Sequence, residues 1–230
     1  MAAAKSPFFA NDGRNVYTSA KSSSFSSVST LDATSKTYRL DGVGRTGGTG
    51  VDVVTNTGHT LSTDIPFSMG GSDEAPQPVE TLLAAWMGCT QATASFVGRQ
   101  LLLERFGKNP DPKRRRPPRR EVLLDFHAIE AVRDEKGSLE LPIRQTPSIS
   151  SRLQRITGKI TVSVVTASGV RQNNGGATEA NSTTIKPETI SFNPEELEVL
   201  KDQTEARCPI ANMLKESGCA MDVEWVLNEN

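Results

Sequence analysis

The chain has 230 residues, of which 36% are hydrophobic, and its formal net charge is −1 at pH 7. Near neutrality argues against a surface built throughout for nucleic acid or for acidic membranes. No apolar stretch reaches the ~18 residues that a membrane span needs, so we expect no membrane association. Three cysteines do not make a disulfide scaffold in a chain of this length. They indicate a reducing compartment, and we expect the protein to be cytoplasmic.

Residues 1–34 are small, polar and without periodicity, which predicts a disordered N-terminal tail. Asp12 is the only acidic residue before Asp32, and serine is abundant. A weak mitochondrial transit peptide is therefore the alternative to a plain tail. We interpret residues 35–230 as a single domain.

From Thr37 onward, short apolar alternations are broken by glycine pairs and by Asn-Thr-Gly, which predicts strands joined by tight turns. A loop over 66–78 leads into a long helix from about Val79 to Phe106. Apolar residues recur along this helix at spacings of three and four, which places them on one face: Leu82, Trp86, Cys89, Thr93 and Phe96. The opposite face is also largely apolar as far as Val97, and a helix that is apolar all round is normally buried.

A basic segment follows the helix within residues 108–120. Six of the eight residues from Lys113 to Arg120 are basic, a pattern that also suits nuclear targeting or nucleic-acid binding. No aromatic residue is interleaved, so base stacking has no support. We favour a solvated connection between a helix and a strand, and we expect no nucleic-acid partner.

The second half of the chain predicts strands and capped helices. Alternation over 122–132 and the segment SSRLQRITGKITVSVV each indicate a half-buried strand, and 166–189 is a low-complexity loop. Asn193 and Pro194 are a good N-cap and first residue for a helix that ends near Ala206. CPIANMLKES predicts a short helix and CAMDVEWVL a last strand. These elements predict an α+β domain.

Two cysteines are candidates for chemistry. Cys208 precedes Pro209 and is expected at a helix N-cap, where free N–H groups and the helix dipole favour a thiolate. Cys89, in mid-helix, needs a nearby cation for the same effect. Arg45, among glycines, is the candidate cation, and Glu80 is a candidate carboxylate to hold it. The alternative is that Glu80 simply suits the first turn of a helix.

The spacing of Glu80 and Cys89 constrains any shared site. Nine residues span about 13.5 Å and two and a half turns of helix, so the two side chains face opposite ways. If both belong to one site, two subunits must build it, which is a hypothesis of obligate homodimerisation.

Two motifs of the chain carry a family resemblance. The first is GGSDEAPQPVETLLAAWMGCTQA, with a Gly-Gly loop, a glutamate, a Leu-Leu-Ala-Ala helix and a cysteine. The second is ARCPIANML, with a cysteine before proline ahead of the last strand. Both resemble motifs of the OsmC/Ohr family, the osmotically inducible and organic hydroperoxide resistance proteins. The similarity runs from about Thr37 to Leu227, and inserts near 108–120 and 166–189 have no counterpart in the compact bacterial proteins.

The resemblance implies antiparallel sheets wrapped around a long buried central helix, in an intertwined homodimer with two interface sites. It implies a thiol peroxidase for organic or fatty-acid hydroperoxides, with Cys89 as the peroxidatic and Cys208 as the resolving cysteine. Arg45 and Glu80 would activate the thiolate and orient the peroxide. The family needs no bound cofactor, and an external dithiol, such as a lipoylated protein, reopens the disulfide.

Several assignments stay open at this point. Trp86 and Met87 are candidates for an apolar substrate pocket, with core packing as the alternative. Thr90, Gln91 and the surroundings of Trp86 resemble less-characterised branches of the family, so a binding or interaction protein without peroxidase activity is the second hypothesis. His59 and His127 show no metal-ligand spacing, and we expect no metal site. Cys219 is interpreted as packing.

Overall fold

The computed structural model describes residues 36–107, 119–167 and 190–228. The predicted tail over 1–34, and most of the predicted inserts, lie outside these ranges. Within them, six strands form two three-stranded sheets, accompanied by helices, and the predicted α+β class is confirmed.

The N-terminal sheet consists of β1 (Leu40–Gly44), β2 (Val51–Thr55) and β3 (Thr60–Thr63), paired antiparallel in that order. Gly47 and Gly58 adopt left-handed φ values of 78° and 84° in the two connecting turns. Glycine pays no steric penalty there, so the predicted strands and tight turns are confirmed. The described helices and the other sheet do not pack extensively on this sheet, and several of its apolar side chains are exposed, among them Leu40, Val43 and Val54.

The long helix α1 spans Pro78–Phe106, close to its predicted bounds. Proline at its first position needs no N–H partner, and Gln77 and Glu80 form a capping box. Its buried stripe differs from the predicted face: Trp86, Thr90, Ala94, Val97, Gly98 and Leu102. The opposite side is exposed within the subunit, in contrast to a helix buried all round: Ala84, Ala85, Gly88, Ala92 and Phe96.

The C-terminal sheet contains β4 (Arg119–Arg133), β5 (Leu153–Ala167) and β6 (Ala220–Leu227), in the order β4–β5–β6. A short helix, α2 (Lys136–Leu139), lies between β4 and β5. β4 and β5 are antiparallel, but β5 and β6 are parallel. The expected antiparallel pairing is thus found for β1–β2, β2–β3 and β4–β5, and β6 departs from it because the helices that follow β5 act as the crossover that parallel strands require.

That crossover contains α3 (Pro194–Arg207) and α4 (Pro209–Glu216). Asn193 caps α3 by accepting a hydrogen bond from the Glu196 N–H, as the sequence predicts. The core lies between α1, the C-terminal sheet and these two helices. Gly98 lets α1 approach β4 closely, since a Cβ there would lie 2.3 Å from Cγ2 of Val122.

Candidate active site

Cys208 lies at the junction of two helices. It is the C-cap of α3 and the N-cap of α4, and its N–H donates to Thr204 O at 3.0 Å. Its Sγ accepts a hydrogen bond from the Ala211 N–H at 3.4 Å. The predicted N-cap position is confirmed, and Cys208 is completely buried.

The pKa of Cys208 corrects the expectation of a favoured thiolate. Burial, first, and the neighbouring Cys89 thiol, second, raise the pKa of Cys208. The hydrogen bonds from Ala211 and Thr90 lower the pKa but do not outweigh burial. A thiolate loses its hydration in a dry core, and one backbone N–H restores only part of that loss. Cys208 is therefore held as a thiol.

Cys89 lies opposite this junction, on α1. Its side chain is half-buried against the core, and it lies close enough to Cys208 to raise the pKa of that thiol. Both cysteines are free thiols. The fold thus brings together the two thiols that the sequence singled out, one reachable from solvent and one completely enclosed.

Thr90, which the sequence reasoning did not select, also contacts this pair. Its hydroxyl Oγ1 lies 3.9 Å from Sγ of Cys208, and the residue is 2% exposed. Hydrogen bonds to sulfur are long and weak, yet Thr90 and Ala211 supply the two that this sulfur makes within the described ranges. The sequence signal that could have identified Thr90 is its position, as a polar residue directly after Cys89 in an apolar run.

Gln91 fixes the position of the helix that carries Cys89. Its Nε2 donates to Val122 O at 2.9 Å, and its Oε1 accepts from the Leu124 N–H at 2.8 Å. The carboxamide therefore pairs with the backbone of β4 as a neighbouring strand would. Because these partners are buried backbone groups, removing the amide would leave both unsatisfied.

Arg45 lies away from the thiols, in the turn after β1. Its guanidinium makes two hydrogen bonds to Asp52, at 3.0 and 2.7 Å, and one to Glu74 at 3.1 Å. The carboxylate that holds Arg45 in a bidentate pair is thus Asp52, where the sequence reasoning had suggested Glu80. In the described part of the chain, no hydrogen bond or ion pair joins Arg45 to Cys89 or Cys208.

Glu80 occupies the third position of α1. Its Oε2 accepts a hydrogen bond from the Gln77 N–H at 2.8 Å and closes the capping box. This is the structural role that the sequence analysis kept as an alternative. The side chain is exposed on the subunit and is therefore accessible to a second chain.

Trp86 and Met87 belong to the interior. Trp86 is 2% exposed and meets the Phe126 ring edge-on, with centroids 6.0 Å apart. Met87 is half-buried against the same cluster. Core packing explains Trp86 fully, and a substrate pocket at these two residues stays a prediction.

The remaining candidates take no part in the thiol pair. Cys219 is buried, its pKa is raised by that burial, and it packs in the core. Among the described residues, no group of three His, Cys, Asp or Glu side chains is placed to hold a metal ion. Across those same ranges, no helix has both the length and the apolar character to cross a membrane.

No family model and no curated protein matches the chain. Among solved structures it is similar to an OsmC-like protein from Mycoplasma pneumoniae, at 14% identity and a TM-score of 0.47, over 84% of this chain and 99% of that one. It is similar to an organic hydroperoxide resistance protein OsmC from Legionella pneumophila, at 15% identity and a TM-score of 0.40, over 84% of this chain and 98% of that one. It is also similar to an OsmC-like protein of unknown function from Vibrio cholerae, at 9% identity and a TM-score of 0.46, over 84% of this chain and 99% of that one. The three carry the family name that the sequence motifs resemble, and the likeness concerns the fold.

Proposed function

We propose that the protein is a thiol-dependent peroxidase that reduces organic hydroperoxides through Cys89 and Cys208. The observation that carries this proposal is the proximity of these two free thiols, one on α1 and one at the α3–α4 junction, which lets Cys89 raise the pKa of Cys208. Two neighbouring thiols are the arrangement that a reversible disulfide needs. A third cysteine, Cys219, shares the core but has no such partner among the described residues.

The exposure of the two thiols supports a different role for each. Cys89 is half-buried and can be reached by a peroxide, whereas Cys208 is enclosed and protonated. The Cys89 thiolate attacks one peroxide oxygen, the O–O bond breaks, and the alkoxide leaves as an alcohol after taking a proton. Cys89 becomes a sulfenic acid, oxidised by two electrons.

Cys208 then resolves the sulfenic acid. Its sulfur attacks the sulfur of Cys89, the thiol proton and the hydroxyl group leave together as water, and a Cys89–Cys208 disulfide forms. An external dithiol, such as a lipoylated protein, donates two electrons and two protons to restore both thiols and is itself oxidised to a disulfide. No bound cofactor is required by this sequence of steps.

A second copy of the chain completes the proposed site. Arg45 and Glu80 do not reach Cys89 within one subunit, the N-terminal sheet packs little against the other described elements, and one face of α1 is exposed and apolar. Association of two chains would cover these surfaces and allow the Arg45 and Glu80 side chains of one subunit to approach the Cys89 of the other. Sedimentation of an active, well-folded monomer would contradict this part of the proposal.

The function is tested by consumption of cumene hydroperoxide with dihydrolipoamide as reductant. We expect turnover by the wild type and none by Cys89→Ser. Cys208→Ser should stop after one equivalent, with a sulfenic acid on Cys89 that dimedone traps. Cys219→Ser is the matched control, since it removes a buried thiol outside the pair, and should retain turnover. Three unreacted thiols under excess peroxide would overturn the proposal and favour the binding-protein alternative.

A further inference from the structure

A second feature lies apart from the thiol pair, where the C-terminal half of α1 meets the start of β4. A cavity of about 130 Å³ is lined there by side chains and backbone of six residues: Ser95, Arg99, Arg120, Glu121, Val122 and Leu123. This volume exceeds the space that a single water requires. Neither cysteine of the redox pair lines it, so the proposed peroxidase chemistry does not account for it.

Two guanidinium groups line this cavity and make no hydrogen bond or ion pair with a described residue. Arg120 has a buried Nε that makes no hydrogen bond there. Its guanidinium is held over the Phe106 ring, 4.3 Å from the centroid, so it cannot simply swing into solvent without losing that contact. Arg99, from α1, forms neither a hydrogen bond nor an ion pair with any described residue.

The acceptors that line the cavity are already engaged. Val122 O accepts from Nε2 of Gln91 at 2.9 Å and from Oγ of Ser95 at 3.4 Å. Ser95 Oγ in turn accepts from Gln91 at 2.8 Å. Glu121 is the only carboxylate in the lining and has an interaction of its own. The lining contains two guanidinium groups and one carboxylate, so its formal charge is +1.

We propose that this cavity is an oxyanion-binding site for a carboxylate or a phosphate group. A buried N–H donor without an acceptor is costly, and an oxyanion in the cavity would satisfy it. The planar guanidinium presents its donors in a fork that matches two oxygens of either group. The same chemistry could come from the head group of a fatty acid or from free phosphate. The site does not depend on the reactivity of Cys89.

Binding is measured on the full chain by titration with hexanoate and, separately, with inorganic phosphate. The readouts are isothermal calorimetry and the NMR resonances of the arginine Nε–Hε groups, which report on Arg120 directly. We expect saturable binding that shifts the Arg120 Nε–Hε signal and weakens as salt is added. Tighter binding of hexanoate than of phosphate would identify the fatty-acid source, and the reverse order the phosphate source.

Two variants and a matched control locate the site. Arg99→Gln and Arg120→Gln should each weaken binding about tenfold or more, since each removes charge-assisted hydrogen bonds. Arg155→Gln removes a charge of equal size from an exposed ion pair with Asp222 and should leave binding unchanged. Arg99 is exposed, so its variant remains informative if Arg120→Gln fails to fold.

The inference is overturned if neither anion shifts the Arg120 signal at millimolar concentration. It is also overturned if all three variants weaken binding equally, because that would indicate general charge attraction without a defined cavity.

Discussion

The N-terminal sheet and the thiol pair show two ways in which one chain holds a charged or reactive group. Arg45 lies in an exposed turn, where Asp52 and Glu74 neutralise it through ion pairs open to solvent. Cys208 lies in a core that excludes water, where burial raises its pKa and keeps it neutral. The ion pairs of Arg45 can be broken with little loss of stability, because water can replace Asp52 and Glu74. The surroundings of Cys208 depend on close packing, so small changes of side-chain volume or polarity there should have large effects.

The largest effect of a substitution is expected in the packing between α1 and β4. Gly98→Ala would place a methyl group 2.3 Å from Cγ2 of the buried, branched Val122. Overpacking outweighs the gain in helix propensity, and we expect a loss of about 2 kcal/mol in the free energy of unfolding. Urea denaturation measures this loss.

Gly88→Ala in the same helix is the control for that change. Within the subunit nothing described lies within 4 Å of a Cβ at Gly88, so no loss is expected from packing inside the chain. Gly88 lies on the face of α1 that a second chain would cover. Equal losses for both variants under conditions where the chain sediments as a monomer would contradict the account of the α1–β4 contact.

The next effect concerns the Thr90 hydroxyl beside the Cys208 thiol. Thr90→Val keeps the volume but removes the hydrogen bond to Sγ of Cys208, which favours the thiolate. We expect closure of the disulfide to slow roughly fivefold, with its pH profile displaced to higher pH, while formation of the Cys89 sulfenic acid is unchanged. Stopped-flow measurements separate the two steps, and Thr90→Ser should restore the rate of closure. Equal slowing of both steps would contradict this role.

A third expectation is a gain in stability. Thr204 is completely buried, and its hydroxyl has no hydrogen-bond partner among the described residues. Thr204→Val replaces that hydroxyl with a methyl group of similar size, and we expect the free energy of unfolding to rise by about 1 kcal/mol. The same variant serves as a control for Thr90→Val, because disulfide closure should keep its wild-type rate. A loss of stability would indicate that the hydroxyl has a partner.

The smallest effect should be found in the exposed ion pair. The hydrogen bonds from Arg45, first, and Ser62 lower the pKa of Asp52 to about 2, from an ordinary value of 3.8. The ionised carboxylate therefore stabilises the fold above pH 3.8, and this contribution is lost as the pH falls through about 2. Asp52→Asn should be slightly less stable than wild type at pH 7 and equal to it below pH 2, by urea denaturation. In an Arg45→Gln background the difference at pH 7 should nearly disappear.

Local signals in the sequence predicted most of the elements. Asn193 and Pro194 located the start of α3, and glycines indicated strands joined by tight turns in the N-terminal sheet, because caps and turns depend on neighbouring residues. The parallel pairing of β6 with β5 was not predicted. Strand direction depends on the path of the crossover, which local periodicity does not encode.

The site was predicted only in part, for a similar reason. Cysteine context singled out Cys89 and Cys208, and the structure brings them together. The N-cap rule alone gave the wrong direction for the Cys208 pKa, because it omits the depth of burial. The contact of Thr90 with Cys208 and the pairing of Arg45 with Asp52 are tertiary, so no spacing in the sequence could reveal them.

The most direct test of the peroxidase account is a free-thiol count with peptide mapping after one equivalent of cumene hydroperoxide. The chain has three free cysteines. We predict that two thiols disappear, that mass mapping finds a Cys89–Cys208 disulfide, and that dihydrolipoamide restores both thiols. Retention of all three thiols, or a disulfide that involves Cys219, would contradict the assignment of this pair.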